Sequence, residues 1–236
     1  MKNRKKIAIG LLLFIIFTIC LNNSYNYVSA AEDEKVIYLT FDDGPGGQTT
    51  EKVLDILKEE NVPATFFLIG DQFEGQEEVL KRIAEEGHSL GLHSMSHDKA
   101  KLYSSDDLFL KEMQEEQKLL KDITGVDSNI LRFPFGCNNN SYKLKESLVN
   151  LLHENNFKIY DWNVDTTDGA NHLANPSLYI KNGASDKSSV TLLMHCGYIN
   201  KNSAIALPQI IKYYKDQGYT FKKIDADTPE VFHYMK

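Results

Sequence analysis

The sequence predicts an α/β fold, a seven-stranded (β/α) barrel of TIM-barrel-like plan, on three observations. Short apolar, β-branched runs alternate with segments of helical period, the pattern of parallel strands covered by helices. Seven such units occupy about 190 residues, one unit short of the usual eight-fold barrel. Ionisable residues gather at the carboxyl ends of five of these seven strands, the pole where barrel sites form. A doubly wound open sheet is the structural alternative. Neither G-x-G-x-x-G nor a P-loop follows the first strand, which weakens a nucleotide-binding version of it.

The elements follow in order. Residues 1–30 read as a secretory signal peptide: Lys2, Arg4, Lys5 and Lys6, an uncharged apolar run over 7–21, then Val28-Ser29-Ala30 before Ala31. That run is short of the roughly 20 residues a membrane span needs; left uncleaved, it would be an N-terminal anchor. Cys20 lacks the small residue expected just before a lipidation site. Residues 31–236 fit one domain with a substantial core.

Strands are predicted at 36–41, 64–69, 89–93, 130–135, 158–163, 190–195 and 220–224. Helices are predicted at 49–60, 76–86, 104–124, 143–154, 177–181 and 206–217. The 104–124 helix should open on a capping box of Ser104 and Asp107 and close at Gly125.

Composition excludes several classes. Removing the four basic residues of the signal from 26 leaves 22 Lys and Arg against 33 Asp and Glu, a net of −11. An acidic chain does not seek phosphate backbones, so nucleic acid is not an expected partner. No second long apolar run exists, and membrane contact is expected only through an uncleaved N-terminus. Two cysteines outside the signal, Cys137 and Cys196, do not make a disulfide scaffold.

The chemistry-bearing residues sit at the strand ends. Strand one ends in Asp42-Asp43-Gly44-Pro45, which alone is a turn signal. Strand three ends in His93, with His97 four residues on. If that segment coils into a helical turn, both rings share a face. Two imidazoles and a carboxylate form a common zinc set that leaves room for water, although a His pair is often structural. Arg132 before Phe133-Pro134-Phe135-Gly136 could be a surface residue, but among carboxylates it is expected to be paired. Strand five runs into Asp161, Trp162, Asp165 and Asp168. Strand six ends in His195, where the bland reading is a satisfied core histidine. His88, His153, His172 and His233 read as surface or structural.

In this order and spacing, Thr40-Phe41-Asp42-Asp43-Gly44-Pro45, His93-Ser94-Met95-Ser96-His97, Arg132-Phe133-Pro134-Phe135-Gly136, Asp161 to Asp168 and Leu193-Met194-His195 resemble the five motifs of the polysaccharide deacetylases, the NodB-homology domain. The resemblance covers about residues 36–224 and implies a distorted seven-stranded barrel. It implies that Asp43, His93 and His97 hold one divalent ion, zinc first, with Co²⁺ or another divalent ion as alternatives. Asp42 would be the general base, positioned by Arg132. The Phe135 N–H would stabilise the oxyanion. His195 would protonate the leaving amine from the opposite side of the mouth, oriented by Asp168. Trp162 and Leu193 would wall the pocket for the acetyl methyl group.

Three positions depart from the family pattern. Gly169 stands where many relatives have Trp. Cys137 follows the third motif and Cys196 the last; a disulfide, extra metal ligands and small buried residues are the options, and the last is expected.

The expected function is a secreted or surface-attached, monomeric, metal-dependent deacetylase of N-acetylglucosamine residues in a cell-wall polysaccharide, peptidoglycan first. An acetyl ester hydrolase on a xylan-type polymer and a wall-binding domain with a decayed site are the alternatives.

Overall fold

The computed structural model describes residues 34–139 and 142–232. The predicted signal segment and His233 lie outside them. Eight strands, all paired in parallel, make one sheet: β1 Val36–Gly44, β2 Thr65–Leu68, β3 Ser89–Leu92, β4 Ile130–Leu131, β5 Lys158–Ile159, β6 Val164–Asp165, β7 Ser189–His195 and β8 Thr220–Lys222. The helices are α1 Gln48–Glu60, α2 Glu77–Glu85, α3 Lys99–Leu102, α4 Asp106–Thr124, α5 Glu146–Glu154, α6 Pro176–Gly183 and α7 Lys201–Asp216.

The strand order is β5-β4-β3-β2-β1-β7-β6, with β8 paired to β1 beside its first three residues. Seven strands lie on this curled path, as expected, but they are not the predicted seven. Of the predicted strand 158–163 only its start forms, as β5; β6 follows just beyond its end, and the two lie at opposite ends of the path, β5 on β4 and β6 on β7. The chain crosses the gap over residues 160–163, and the barrel does not close by hydrogen bonds there.

β1 is the axis of the fold. Its buried Ile37, Leu39 and Phe41 face the layer between sheet and helices, where Val53, Leu54 and Leu57 of α1 and Leu207 and Ile211 of α7 also lie. By the period of two, Tyr38, Thr40 and Asp42 take the other face. There a small cluster of Phe67, Ile130, Tyr160 and Ile224 fills the barrel interior, with Tyr38 packed against it. Thr40 and Asp42 rise above this plug toward the carboxyl pole.

Two local expectations are corrected. The α4 cap is Ser105, whose Oγ accepts the Leu108 N–H at 3.2 Å. Ser104 instead donates to the Lys101 carbonyl and ends α3. Of two adjacent serines, the one placed by the α3–α4 turn takes the cap. The segment 93–97 is not a helical turn but an irregular loop, with Ser94 at φ 75° and His97 at φ 52°. The α4 terminus at Gly125 is as predicted, left-handed at φ 75°. His88 is structural: it is buried, and its Nδ1 accepts the Ala64 N–H.

Candidate active site

Asp42 and Asp43 are neighbours, and neighbours in a regular strand point to opposite faces. Here the β1–β2 register slips between Phe41 and Gly44, and Asp43 is left-handed at φ 64°. Both carboxylates therefore reach one cavity of about 280 Å³, lined by Asp42, Asp43, His93, His97, Phe135, Trp162, Gly169, Ala170, Leu193 and His195.

On one wall stand three ligand-type groups. Asp43 Oδ1 lies 3.6 Å from His93 Nε2 and 3.5 Å from His97 Nε2. The His93 Nδ1–H donates to the Arg132 carbonyl at 2.9 Å, which leaves the Nε2 lone pair facing the cavity. Burial, reinforced by the nearby His93, pushes His97 down to about 4, so its ring is neutral at pH 7. Asp43 Oδ1 is buried without a hydrogen-bond partner. The unpartnered Asp43 Oδ1 and the two imidazole Nε2 atoms converge, an arrangement that a cation would relieve. In a tetrahedral site with bonds near 2.0–2.1 Å, ligand atoms stand about 3.3 Å apart. The two separations from Asp43 Oδ1 are only slightly wider, and the donor set fits a divalent ion.

Arg132 lies behind Asp42 with no exposure at all. A buried guanidinium is tolerable only if its donors are satisfied. Nη1 donates to Asp42 Oδ1 and to Thr40 Oγ1, both at 2.7 Å. Nε donates to the Tyr160 carbonyl at 2.8 Å and Nη2 to the Asp161 carbonyl at 3.0 Å. Its plane sits 4.2 Å from the Phe67 ring centroid, on the apolar plug. Asp42 is thereby fixed on one oxygen, while Oδ2 faces His93 Nε2 at 3.7 Å.

The other wall carries His195. Its Nδ1–H donates to Asp168 Oδ1 at 2.8 Å, and its backbone N–H donates to Asp168 Oδ2, also at 2.8 Å. Ser203 Oγ and Thr166 Oγ1 complete four donors onto this fully buried carboxylate. Burial alone would lower the imidazole pKa; the Asp168 hydrogen bond and charge outweigh it and raise His195 to about 9. Burial would likewise raise Asp168, but the His195 and Ser203 hydrogen bonds hold it below the ordinary range. The expected placement of His195 opposite Asp42 needs correction. β1 and β7 are adjacent, and Asp42 and His195 are register partners.

Phe135 is left-handed at φ 66°, and its backbone N–H has no hydrogen-bond partner among the described residues. Its ring, 46% exposed, stands 4.6 Å from the His97 ring. Trp162 packs over Gly136, and Leu193 is buried at the cavity floor. Cys137 and Cys196 are buried, as expected, and form no disulfide among the described residues. Cys137 donates to Asp161 from both Sγ, at 2.7 Å, and its backbone N. Burial pushes the Cys196 thiol up.

Of the ten residues to which the resemblance gives a role, eight line the cavity, and Arg132 and Asp168 stand behind it. Sequence reasoning missed Thr40, Thr166 and Ser203, whose hydroxyls carry no pattern of their own. It also missed that five non-glycine residues around the site are left-handed: Asp43, Ser94, His97, Phe135 and Thr167. Such conformations cost on the order of 1–3 kcal/mol each and concentrate where a site over-determines them.

Residues 29–156 match the polysaccharide deacetylase family profile. The chain is 37% identical over 198 residues to a peptidoglycan-N-acetylglucosamine deacetylase of Bacillus cereus, covering 81% of this chain and 70% of that one. It is 35% identical over 201 residues to the peptidoglycan-N-acetylglucosamine deacetylase PgdA of Listeria monocytogenes, covering 84% of this chain but only 40% of PgdA. It superimposes on the catalytic domain of a peptidoglycan N-acetylglucosamine deacetylase from Eubacterium rectale with a TM-score of 0.78 at 31% identity, covering 86% of this chain and 94% of that one.

Proposed function

Because the chain belongs to the polysaccharide deacetylase family, a family of hydrolases, we propose that it removes N-acetyl groups from N-acetylglucosamine residues of a cell-wall polysaccharide, with peptidoglycan as the first choice. One observation carries this reading: a carboxylate paired with a buried arginine and an imidazole bonded to a buried carboxylate share one cavity with the converging ligand atoms of Asp43, His93 and His97.

Asp43, His93 and His97 would hold one divalent ion, zinc in the first instance. Such an ion supplies Lewis-acid polarisation of the acetamide carbonyl and acidifies water. The chain's own residues would do the rest. Asp42 accepts the proton of the attacking water on Oδ2, because Arg132 occupies Oδ1. The Phe135 N–H donates to the oxyanion as the carbonyl carbon becomes tetrahedral. His195, charged near neutrality through Asp168, delivers a proton to the departing nitrogen so that it leaves as the sugar amine. Trp162 and Leu193 confine the acetyl methyl group.

Residues 1–30 and the wall substrate named for the relatives support action outside the cell, secreted or surface-attached. Among the described residues no helix is long and apolar enough to cross a membrane. We take the working unit to be a monomer.

The test is to incubate zinc-loaded protein with defined N-acetylglucosamine oligomers, purified peptidoglycan and acetylated xylan, then map free amines and released acetate by mass spectrometry. Free amines in the glycan strands support the proposal. Acetate from xylan alone would replace it with the ester reading, and inactivity on all three would favour a binding role.

A further inference from the structure

The inner face of α4 holds an anomaly. Phe109, Met113 and Leu120 are buried there, as a helix stripe should be, but Glu112 and Glu116 are buried among them. Two carboxylates four residues apart in a core stripe need a reason. Both are aimed at the loop that carries His93 and His97. Glu116 Oε1 accepts the His93 N–H at 3.3 Å, a donor it shares with the Leu68 carbonyl at 2.8 Å. Glu112 Oε2 accepts the Ser96 N–H at 2.8 Å and the Ser96 hydroxyl at 2.9 Å. Its other oxygen pairs with Lys101.

The loop is held on its other side as well. The Gly70 N–H donates to the Ser94 carbonyl at 3.1 Å and the Asp71 N–H to the Met95 carbonyl at 2.8 Å. The Ser96 amide thus goes to α4, the His93 amide is shared between α4 and β2, and the Ser94 and Met95 carbonyls go to residues 70–71. Held between them, Ser94 and His97 keep left-handed conformations that non-glycine residues avoid. The His97 N–H closes the turn onto Ser94 Oγ at 2.9 Å. With a helical turn absent, this bracing is what brings the two Nε2 atoms toward Asp43 Oδ1.

We infer that Glu112 and Glu116 are positioning residues: carboxyl braces that preset the His93–His97 loop for a divalent ion. The inference rests on Asp43, His93 and His97 being the metal set. Its chemistry is acceptance of backbone N–H bonds, so an amide oxygen should replace a carboxylate oxygen and an alkyl group should not.

The experiment titrates metal-free full chain with Co²⁺ alone and follows the visible d–d bands and the dissociation constant. Glu116→Leu and Glu116→Gln form one pair, Glu112→Leu and Glu112→Gln the other, and one folded pair suffices to decide. In each, the Leu variant should bind Co²⁺ about 10–100-fold more weakly with altered bands, as loss of an outer-sphere partner commonly does. The Gln variant should recover most of the affinity and the wild-type spectrum. A folded Leu variant with wild-type affinity and bands overturns the inference, and so does a Gln variant as impaired as its Leu partner. If the wild type itself takes up no Co²⁺, it is the metal reading of Asp43, His93 and His97 that fails.

Discussion

Gly169 and His195 compete for the same space: a Cβ built on Gly169 would stand 2.4 Å from Cε1 and 2.7 Å from Nε2 of the imidazole. The ring cannot yield freely, because Asp168 holds Nδ1 at 2.8 Å. A side chain at this position is therefore incompatible with His195 where it sits in this chain. Gly169→Ala should push the ring off Asp168, lower deacetylation by about 10²-fold or more, the usual worth of a general acid, and leave metal stoichiometry unchanged. Steady-state kinetics with metal analysis checks both; an active Gly169→Ala variant would mean that the ring has another seat.

The Asp168–His195 pair has a defined pH signature. His195 is raised from 6.5 to about 9, and only its protonated form can donate to the leaving group. Activity should therefore fall as pH rises through that pKa, which a bound cation nearby would lower. The same pair stabilises the fold fully below about 6.5, and that contribution fades as pH climbs toward about 9. In Asp168→Asn the carboxylate support is gone and burial dominates, so the alkaline limb of kcat/KM should shift to lower pH. An unmoved limb would assign it to another group.

His195→Ala separates the acid from the base. Toward an N-acetyl substrate it should cost about 10²–10⁴-fold. Toward an activated aryl acetate, whose phenolate leaves unaided, the loss should be much smaller. Asp42→Asn should impair both substrates alike while retaining the ion. Equal losses for His195→Ala on the two substrates would reassign it to oxyanion or structural support.

Removal of a ligand should appear as stoichiometry. His93→Ala and His97→Ala should each bind less than one equivalent of divalent ion, and binding by the wild type should weaken in acid because both rings must be neutral. Full stoichiometry in either variant would exclude that residue from the set.

Arg132→Lys should destabilise more than a surface arginine would. An ammonium cannot reach Asp42, Thr40 and the Tyr160 and Asp161 carbonyls together, as the fork does. Breaking a buried charged network costs about 3–5 kcal/mol. Chemical denaturation would measure it, and a change under 1 kcal/mol, the level typical of surface pairs, would show the network to be dispensable.

The α/β alternation, the parallel sheet and the pole at which the chemistry gathers are all legible in the order of residues. They can be read there because burial periods are local: two for the strands and 3.6 for α1 or α4. That order also marked Asp42, Asp43, His93, His97, Arg132 and His195, since charged residues ending apolar strands break the burial pattern. Only the tertiary structure decided how they meet. Asp42 and His195 are 153 positions apart and adjacent solely through β1–β7 register. The end of the predicted strand 158–163 after Ile159, the left-handed turns at Asp43, Ser94, His97 and Phe135, and the carboxyl groups of Glu112 and Glu116 inside a core stripe all depend on partners supplied by other elements. A backbone strained at one residue is held by hydrogen bonds from distant ones, and no local pattern of residue types records that.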